Sequence, residues 1–256
     1  MVAGYSAAQV RAAEAPHLAA GEPLMRRAAA ALAAVLRREL AEIGAEAGAS
    51  GAGAFGPVLF LVGSGDNGGD ALYAAAELAE GGIEVVIAPV GSRMHPEASA
   101  AARFAGATFL ETAPTSETDA SDRADAPAAV LPDGFESAAH DAVIIVDGIL
   151  GTGTAADPAL RGRARAAVAF LCELIEGIDP EQRPRVVAVD LPSGIHPDDG
   201  RVPDETVLRA TTTVTFGAAK AGLLIEPGAD YAGRIEVVDL GLGPELSAMT
   251  PLVERA

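Results

Sequence analysis

Pro57-Val58-Leu59-Phe60-Leu61-Val62-Gly63-Ser64-Gly65-Asp66-Asn67-Gly68-Gly69-Asp70 is an apolar run that ends in a glycine-rich turn. Six apolar residues without polar alternation predict a strand covered on both faces, since a strand with one wet face would alternate apolar and polar. Residues 68–78 predict a helix, so the glycines sit where a strand hands over to a helix. Outward from this unit the same rhythm repeats. Strands are predicted at 83–89, 142–146, 186–189, 210–216 and 235–240, with helices at 96–105 and 159–175. Ahead of it, Ser6 can cap a helix to about residue 20, and Gly21-Glu22-Pro23 breaks the chain. Leu24, Met25, Ala28, Leu32, Leu36 and Leu40 then recur at helical spacing through residue 45 or so. Buried strands alternating with helices predict an α/β fold with a mostly parallel sheet, one domain over residues 1–256.

Two stretches fall outside this rhythm. Residues 47–56 are mostly glycine and alanine, a linker. Residues 112–139 are rich in Ala, Asp, Ser and Pro with little apolar periodicity, and predict a long, mobile acidic loop.

Composition narrows the partners. With 36 acidic against 18 basic residues the formal net charge is −18. Nucleic acid and anionic membrane both reward clustered Lys and Arg, so neither is an expected partner. A 50% hydrophobic chain can bury a core. The single cysteine, Cys172, rules out an internal disulfide and fits a reducing compartment. No basic-then-apolar leader opens the sequence and no uncharged apolar run reaches about 18 residues. A cytoplasmic protein is expected.

Ligands of open α/β sheets bind outside the carboxyl ends of the strands. Three predicted strands run into unusual sequence there: the glycine turn above, Val146-Asp147-Gly148-Ile149-Leu150-Gly151-Thr152-Gly153-Thr154, and Val189-Asp190-Leu191-Pro192-Ser193-Gly194. All three converge on one edge of one sheet. Gly63-x-Gly65-x-x-Gly68 formally matches a dinucleotide fingerprint, in which backbone N–H groups approach an anion at a helix N-terminus. A conventional NAD-dependent dehydrogenase also wants an acid at the end of the second strand, and that end here reads Ala88-Pro89-Val90-Gly91. Asn67, Asp147 and Ser193 offer an amide oxygen, a carboxylate and a hydroxyl. This hard oxygen set suits an alkali or alkaline-earth cation, and with one carboxylate a monovalent ion is the better match. Lys220, the only lysine, follows a strand and reads either as an exposed residue or as a phosphate or carboxylate contact. The four histidines share no ligand spacing, and no nucleophile elbow is present.

Taken together these segments resemble the NAD(P)H-hydrate epimerase family, the YjeF N-terminal domain. The family's Gly-x-Gly-Asn-Asn-Gly-Gly-Asp-Gly loop corresponds to residues 63–71, its Val-Asp-Ala-x-x-Gly-Thr-Gly to 146–153, and its Asp-x-Pro-Ser-Gly to 190–194. Lys220 to Gly222, Tyr231-Ala232-Gly233-Arg234-Ile235, Asp239-Leu240-Gly241 and Gln9-Val10 also match. The resemblance implies a Rossmann-like three-layer α/β/α sandwich, a homodimer, and a bound potassium ion (K+) on Asn67, Asp147 and Ser193. It implies that Asp66, Asn67, Gly68, Gly69 and Asp70 hold the hydrated dinucleotide. Gly151, Thr152, Gly153, Thr154, Ala155, Ala156 and Asp157 would hold it too, with Lys220 contributing and Asp190 contacting the damaged nicotinamide.

Two departures stand out. Asp66 replaces the first Asn of the loop and brings a charge that repels anionic groups unless it points away or is neutralised. The basic residue after Gly-Thr-Gly is absent, with Arg161 the nearest replacement. The implied activity is epimerisation of NADHX and NADPHX between R and S forms, with Asp190 as acid and then base, for repair by a partner ATP- or ADP-dependent dehydratase. That dehydratase is fused in some members, and this length leaves no room for it. The alternative is a non-catalytic nucleotide-binding or dimerising scaffold of the same fold.

Overall fold

The computed structural model describes residues 2–46, 56–112, 130–153 and 157–255. The expected linker lies almost wholly outside these, as do residues 113–129 of the expected acidic loop. The strands are β1 (Val2–Tyr5), β2 (Val58–Val62), β3 (Val85–Pro89), β4 (Thr108–Phe109), β5 (Ile144–Gly148), β6 (Arg185–Val189), β7 (Thr212–Phe216), β8 (Ala219–Lys220), β9 (Arg234–Val238) and β10 (Val253–Arg255). The helices are α1 (Ala7–Ala19), α2 (Leu24–Glu46), α3 (Asp66–Glu80), α4 (Pro96–Phe104), α5 (Phe135–Asp141), α6 (Gly162–Gly177), α7 (Ala229–Ala232) and α8 (Gly243–Ser247).

Seven strands form one sheet in the order β4-β3-β2-β5-β6-β7-β9. Every neighbouring pair in it is parallel. Successive side chains of a strand face opposite ways, and here both faces are covered. Phe60, Val62, Ile144 and Val146 pack with Leu32, Leu36, Leu72 and Leu78 of α2 and α3. Leu59, Leu61 and Ile145 pack on the other side with Phe135, Val168 and Leu171 of α5 and α6. Each such fully buried side chain contributes about 1.5–3 kcal/mol relative to exposure. The fold is the expected Rossmann-like α/β/α sandwich.

The chain leaves β2 toward β3 and β4, then returns to place β5 on β2's other side. This reversal makes the carboxyl ends of β2 and β5 the switch point where a crevice opens. At the opposite edge, buried Glu39 of α2 accepts from Arg185 at 2.6 Å, Thr212 at 3.1 Å and Arg234 at 2.6 Å. These residues begin β6, β7 and β9, so α2 is fastened to the amino ends and the carboxyl ends stay clear for a ligand.

Two features differ from expectation. Phe135–Asp141 is helical although it begins inside the stretch read as a loop. Phe135, Ala138 and Ala139 are buried against the sheet, and tertiary packing there outweighs weak periodicity. A small second sheet, β10-β1-β8, was not expected at all. Its strands are two to four residues long and pair distant parts of the sequence.

Candidate functional site

Gly63 and Gly68 set the geometry of the turn after β2. A Cβ on Gly63 would lie 1.9 Å from the Ile149 carbonyl oxygen, and one on Gly68 2.3 Å from that of Gly63. Only glycine lets the β2 turn, the start of α3 and the β5 loop close on one another this way. Asn67 is thereby carried to the end of β5. Its Nδ2 donates to the Leu150 carbonyl at 2.9 Å, which leaves Oδ1 facing away from that bond.

Asp147, the next-to-last residue of β5, is buried. Its Oδ2 accepts from the Ser193 backbone N–H at 2.8 Å and its Oδ1 from the Ser193 hydroxyl at 2.6 Å. The Ile149 N–H adds a longer bond of 3.3 Å, and the Leu150 N–H donates to Ser193 Oγ at 2.9 Å. Burial pushes the Asp147 carboxyl up, and the bonds from Ser193 and Ile149 offset part of that. No basic side chain among the described residues forms an ion pair with it. Asn67, Asp147 and Ser193 therefore meet in one buried cluster, tied through Leu150.

This cluster suits a monovalent cation. A buried carboxylate without a charged partner is costly, and a cation is what would balance it. Gly151 leaves room beside the amide, since a Cβ there would come within 3.2 Å of Asn67 Oδ1. The donors are all oxygens, and among the described residues no group of three or more His, Cys, Asp or Glu gathers as a metal centre. Such a set disfavours transition metals.

Asp190 follows β6 with φ of 68°, the only positive φ outside glycine among the described residues. Such a conformation is uncommon outside glycine and concentrates at functional sites. Its Oδ1 receives Lys220 Nζ in a short ion pair, the Thr215 hydroxyl at 3.3 Å and the Phe216 N–H at 3.4 Å. Lys220 also donates to Thr215 Oγ1 at 3.2 Å and the Phe216 carbonyl at 2.9 Å. The exposed reading of this lysine is thus overturned. It is 2% exposed, and the carboxylate it contacts is Asp190.

Asp70, one turn into α3, has a buried Oδ1 with no hydrogen-bond partner. Burial first, then the charges of Asp190 and Asp66, push its carboxyl well above the usual range, with Lys220 opposing. Asp66 itself is exposed at the start of α3. Gly68 and Gly69 are buried in the same first turn. Gly151 and Thr152 are half-buried, Gly153 is exposed, and Thr154, Ala155 and Ala156 lie outside the described residues. Asp157 is exposed and held by Arg161 at 3.0 Å.

Two contributors escaped the sequence reading, both on α1. Arg11 donates to the Thr152 carbonyl at 2.9 Å and brings a basic group to the Gly-Thr-Gly segment. Glu14 is half-buried, and its carboxyl is pushed up by burial, with Lys220 opposing and Asp190 adding. Beyond Gln9-Val10, α1 carries no motif that signals either residue. Gln9 nearby closes a capping box on Ser6, which fixes the helix start.

Comparison with known proteins agrees with this geometry. The family described as YjeF-related protein N-terminus matches residues 21–222. An NAD(P)H-hydrate epimerase of Clavibacter sepedonicus is 50% identical over 253 residues, covering 99% of this chain and 96% of that protein. Another so named, from Microbacterium testaceum, is 46% identical and covers 100% of this chain and 85% of its own. Among solved structures, a yeast protein, ynu0, aligns with a TM-score of 0.64 at 20% identity over 87% of this chain and 82% of its own, a likeness of fold. With a family model matching residues 21–222 and relatives up to 50% identical over nearly its whole length, this chain belongs to the YjeF-related N-terminal family.

Proposed function

We propose that this chain is an NAD(P)H-hydrate epimerase, an isomerase that interconverts the R and S forms of hydrated NADH and NADPH. The observation that carries the reading is the joining of Asp190, Lys220 and Asp70 in one electrostatic neighbourhood beside the Asn67–Asp147–Ser193 cluster. A dimerising scaffold has no need of that arrangement. Relatives that span nearly the whole chain carry the epimerase name.

The chemistry needs a proton donor for the leaving hydroxyl and an acceptor for the incoming water. The ring nitrogen's lone pair expels the hydroxyl as water, giving an iminium-like ring, and water adds to the opposite face. Asp190, which receives a lysine and two further donors, serves as the acceptor. Asp70, whose carboxyl is pushed up by burial, is placed to serve as the donor. The two carboxyls thus divide a task that sequence reading assigned to Asp190 alone. Exchange with the released water restores both.

Asn67, Asp147 and Ser193 would hold potassium, which when bound supplies the positive charge that keeps the loops after β2, β5 and β6 together. The dinucleotide's pyrophosphate would lie at the start of α3, whose cap Gly65 makes no side-chain bond to the open N–H groups. The same reading carries a homodimer, a cytoplasmic location and a partner dehydratase that consumes the S form. Among the described residues no helix is long and apolar enough to cross a membrane. A Pyrobaculum aerophilum relative named bifunctional NAD(P)H-hydrate repair enzyme is 37% identical over 193 residues, and the match covers 33% of its length.

The test is to incubate R-NADHX with the protein and follow the S form by chromatography. Acceleration over the spontaneous rate, lost in Asp190→Ala, is expected. No acceleration by the wild type would overturn the reading.

A further inference from the structure

A second cavity lies at the same edge of the sheet, apart from the residues of the site described above. It measures about 460 Å³ and is open at the carboxyl ends of β3 and β4. In a chain with net charge −18, its described lining holds three arginines, Arg93, Arg103 and Arg163, against one carboxylate, Glu111. Arg103 sits over Phe109, its guanidinium carbon 3.8 Å from the ring centroid. Arg163 is oriented by a bond from Nε to the Val130 carbonyl at 3.1 Å. Arg93 is fixed through its backbone N–H, which donates to Ser64 Oγ of the glycine turn at 3.3 Å. The cavity and the turn are thus adjoining parts of one surface.

We infer that this cavity receives the adenosine end of the substrate and that its arginines bind the 2′-phosphate, so that NADPHX is favoured over NADHX. The inference rests on the epimerase reading for the identity of the dinucleotide. Three observations carry it. Position is the first. From β6, which Asp190 follows, to β3 there are three strand spacings, about 14 Å. That matches the order of the distance between the two bases of an extended dinucleotide whose pyrophosphate lies midway, at the start of α3.

Chemistry is the second. Guanidinium forks match phosphate oxygens, and the Arg103–Phe109 stack offers a flat surface for adenine. The third is the residue missing from the end of β3. An acid there would hold the two ribose hydroxyls and repel a phosphate, whereas an arginine nearby accommodates it. Here the strand ends in Ala88-Pro89-Val90-Gly91 and Arg93 follows.

The experiment has two arms. In the first, kcat/KM is measured on R-NADHX and R-NADPHX for the wild type and for Arg93→Gln combined with Arg103→Gln, with melting curves to establish that the variant is folded. Losing charged hydrogen bonds to a phosphate is expected to lower the NADPHX-to-NADHX ratio by roughly tenfold or more. An unchanged ratio overturns the inference. In the second arm, calorimetry compares adenosine 2′,5′-bisphosphate with adenosine 5′-monophosphate. Tighter binding of the bisphosphate, reduced in the variant, supports the site even if no epimerisation is found, in which case the epimerase reading alone fails. Equal binding of the two probes overturns the site even if the enzyme is active.

Discussion

Replacing Ser193 by Ala removes one oxygen and disturbs two partners, the buried Asp147 and the half-buried Leu150. Ser193 Oγ donates to Asp147 Oδ1 at 2.6 Å and accepts from the Leu150 N–H at 2.9 Å. A hydrogen bond to a charged group contributes about 1.5–3 kcal/mol, and a buried N–H left unsatisfied costs about 1–3 kcal/mol. Leu150 is half-buried, so water can reach its N–H and the lower end of that second range applies. The sum is about 3 kcal/mol, which for a chain of this size lowers Tm by about 6–12 °C.

Potassium gives the second readout. An ion that binds only the folded state stabilises by about 2.7 kcal/mol when its concentration is roughly a hundred times the dissociation constant. The assay is thermal melting in potassium chloride and in choline chloride at equal ionic strength, so that screening is the same in both. The wild type is expected to melt higher in potassium, and Ser193→Ala to lose most of that increment. A variant that melts with the wild type in choline and gains as much from potassium would refute the reasoning about this cluster.

Other perturbations test other parts. Asp70→Asn is expected to flatten the pH dependence of stability. Because burial raises the folded carboxyl's pKa, its contribution is present below the ordinary carboxylate range and is lost as pH climbs through the raised value. Denaturant midpoints at several pH values should show the variant gaining on the wild type toward alkaline pH, and parallel curves would count against the assignment. Glu39→Ala removes the carboxylate shared by Arg185, Thr212 and Arg234. Breaking a buried pair costs about 3–5 kcal/mol, but Arg185 also has Glu42 and Glu46 and Arg234 is 54% exposed, so about 2 kcal/mol is expected by urea unfolding. Gly63→Ala drives a methyl group into the Ile149 carbonyl. It should abolish epimerisation, and full activity with an unaltered melting curve would show that the turn has room.

Much of this architecture was readable from one dimension because its signals are local. β2, β3, β5 and β6 are short apolar runs, and three of them end in glycine, Asp or Pro-Ser sequence that no ordinary loop requires. Asn67, Asp147 and Ser193 are legible together because each lies at or just past the carboxyl end of a strand of the same sheet. What stayed hidden depends on distance along the chain. β1 pairs β10 across the length of the molecule, and no two- or three-residue strand has a period to detect. Lys220 could be placed beside a strand, but its bond to Asp190 depends on the left-handed turn at Asp190, which sequence does not display. Glu14 sits on a helix with little amphipathic contrast, where an acidic residue reads as ordinary surface.

Strand β1 bears on how this protein should be handled. Its Tyr5 is in register with Lys220 and its Gly4 with Ala219, so the first turn of backbone forms the rail along which the lysine is laid. Expression designs that trim the leading five residues would take that rail away, and a weakened preparation of this kind would misreport the chemistry at Asp190 while leaving the seven-stranded sheet intact.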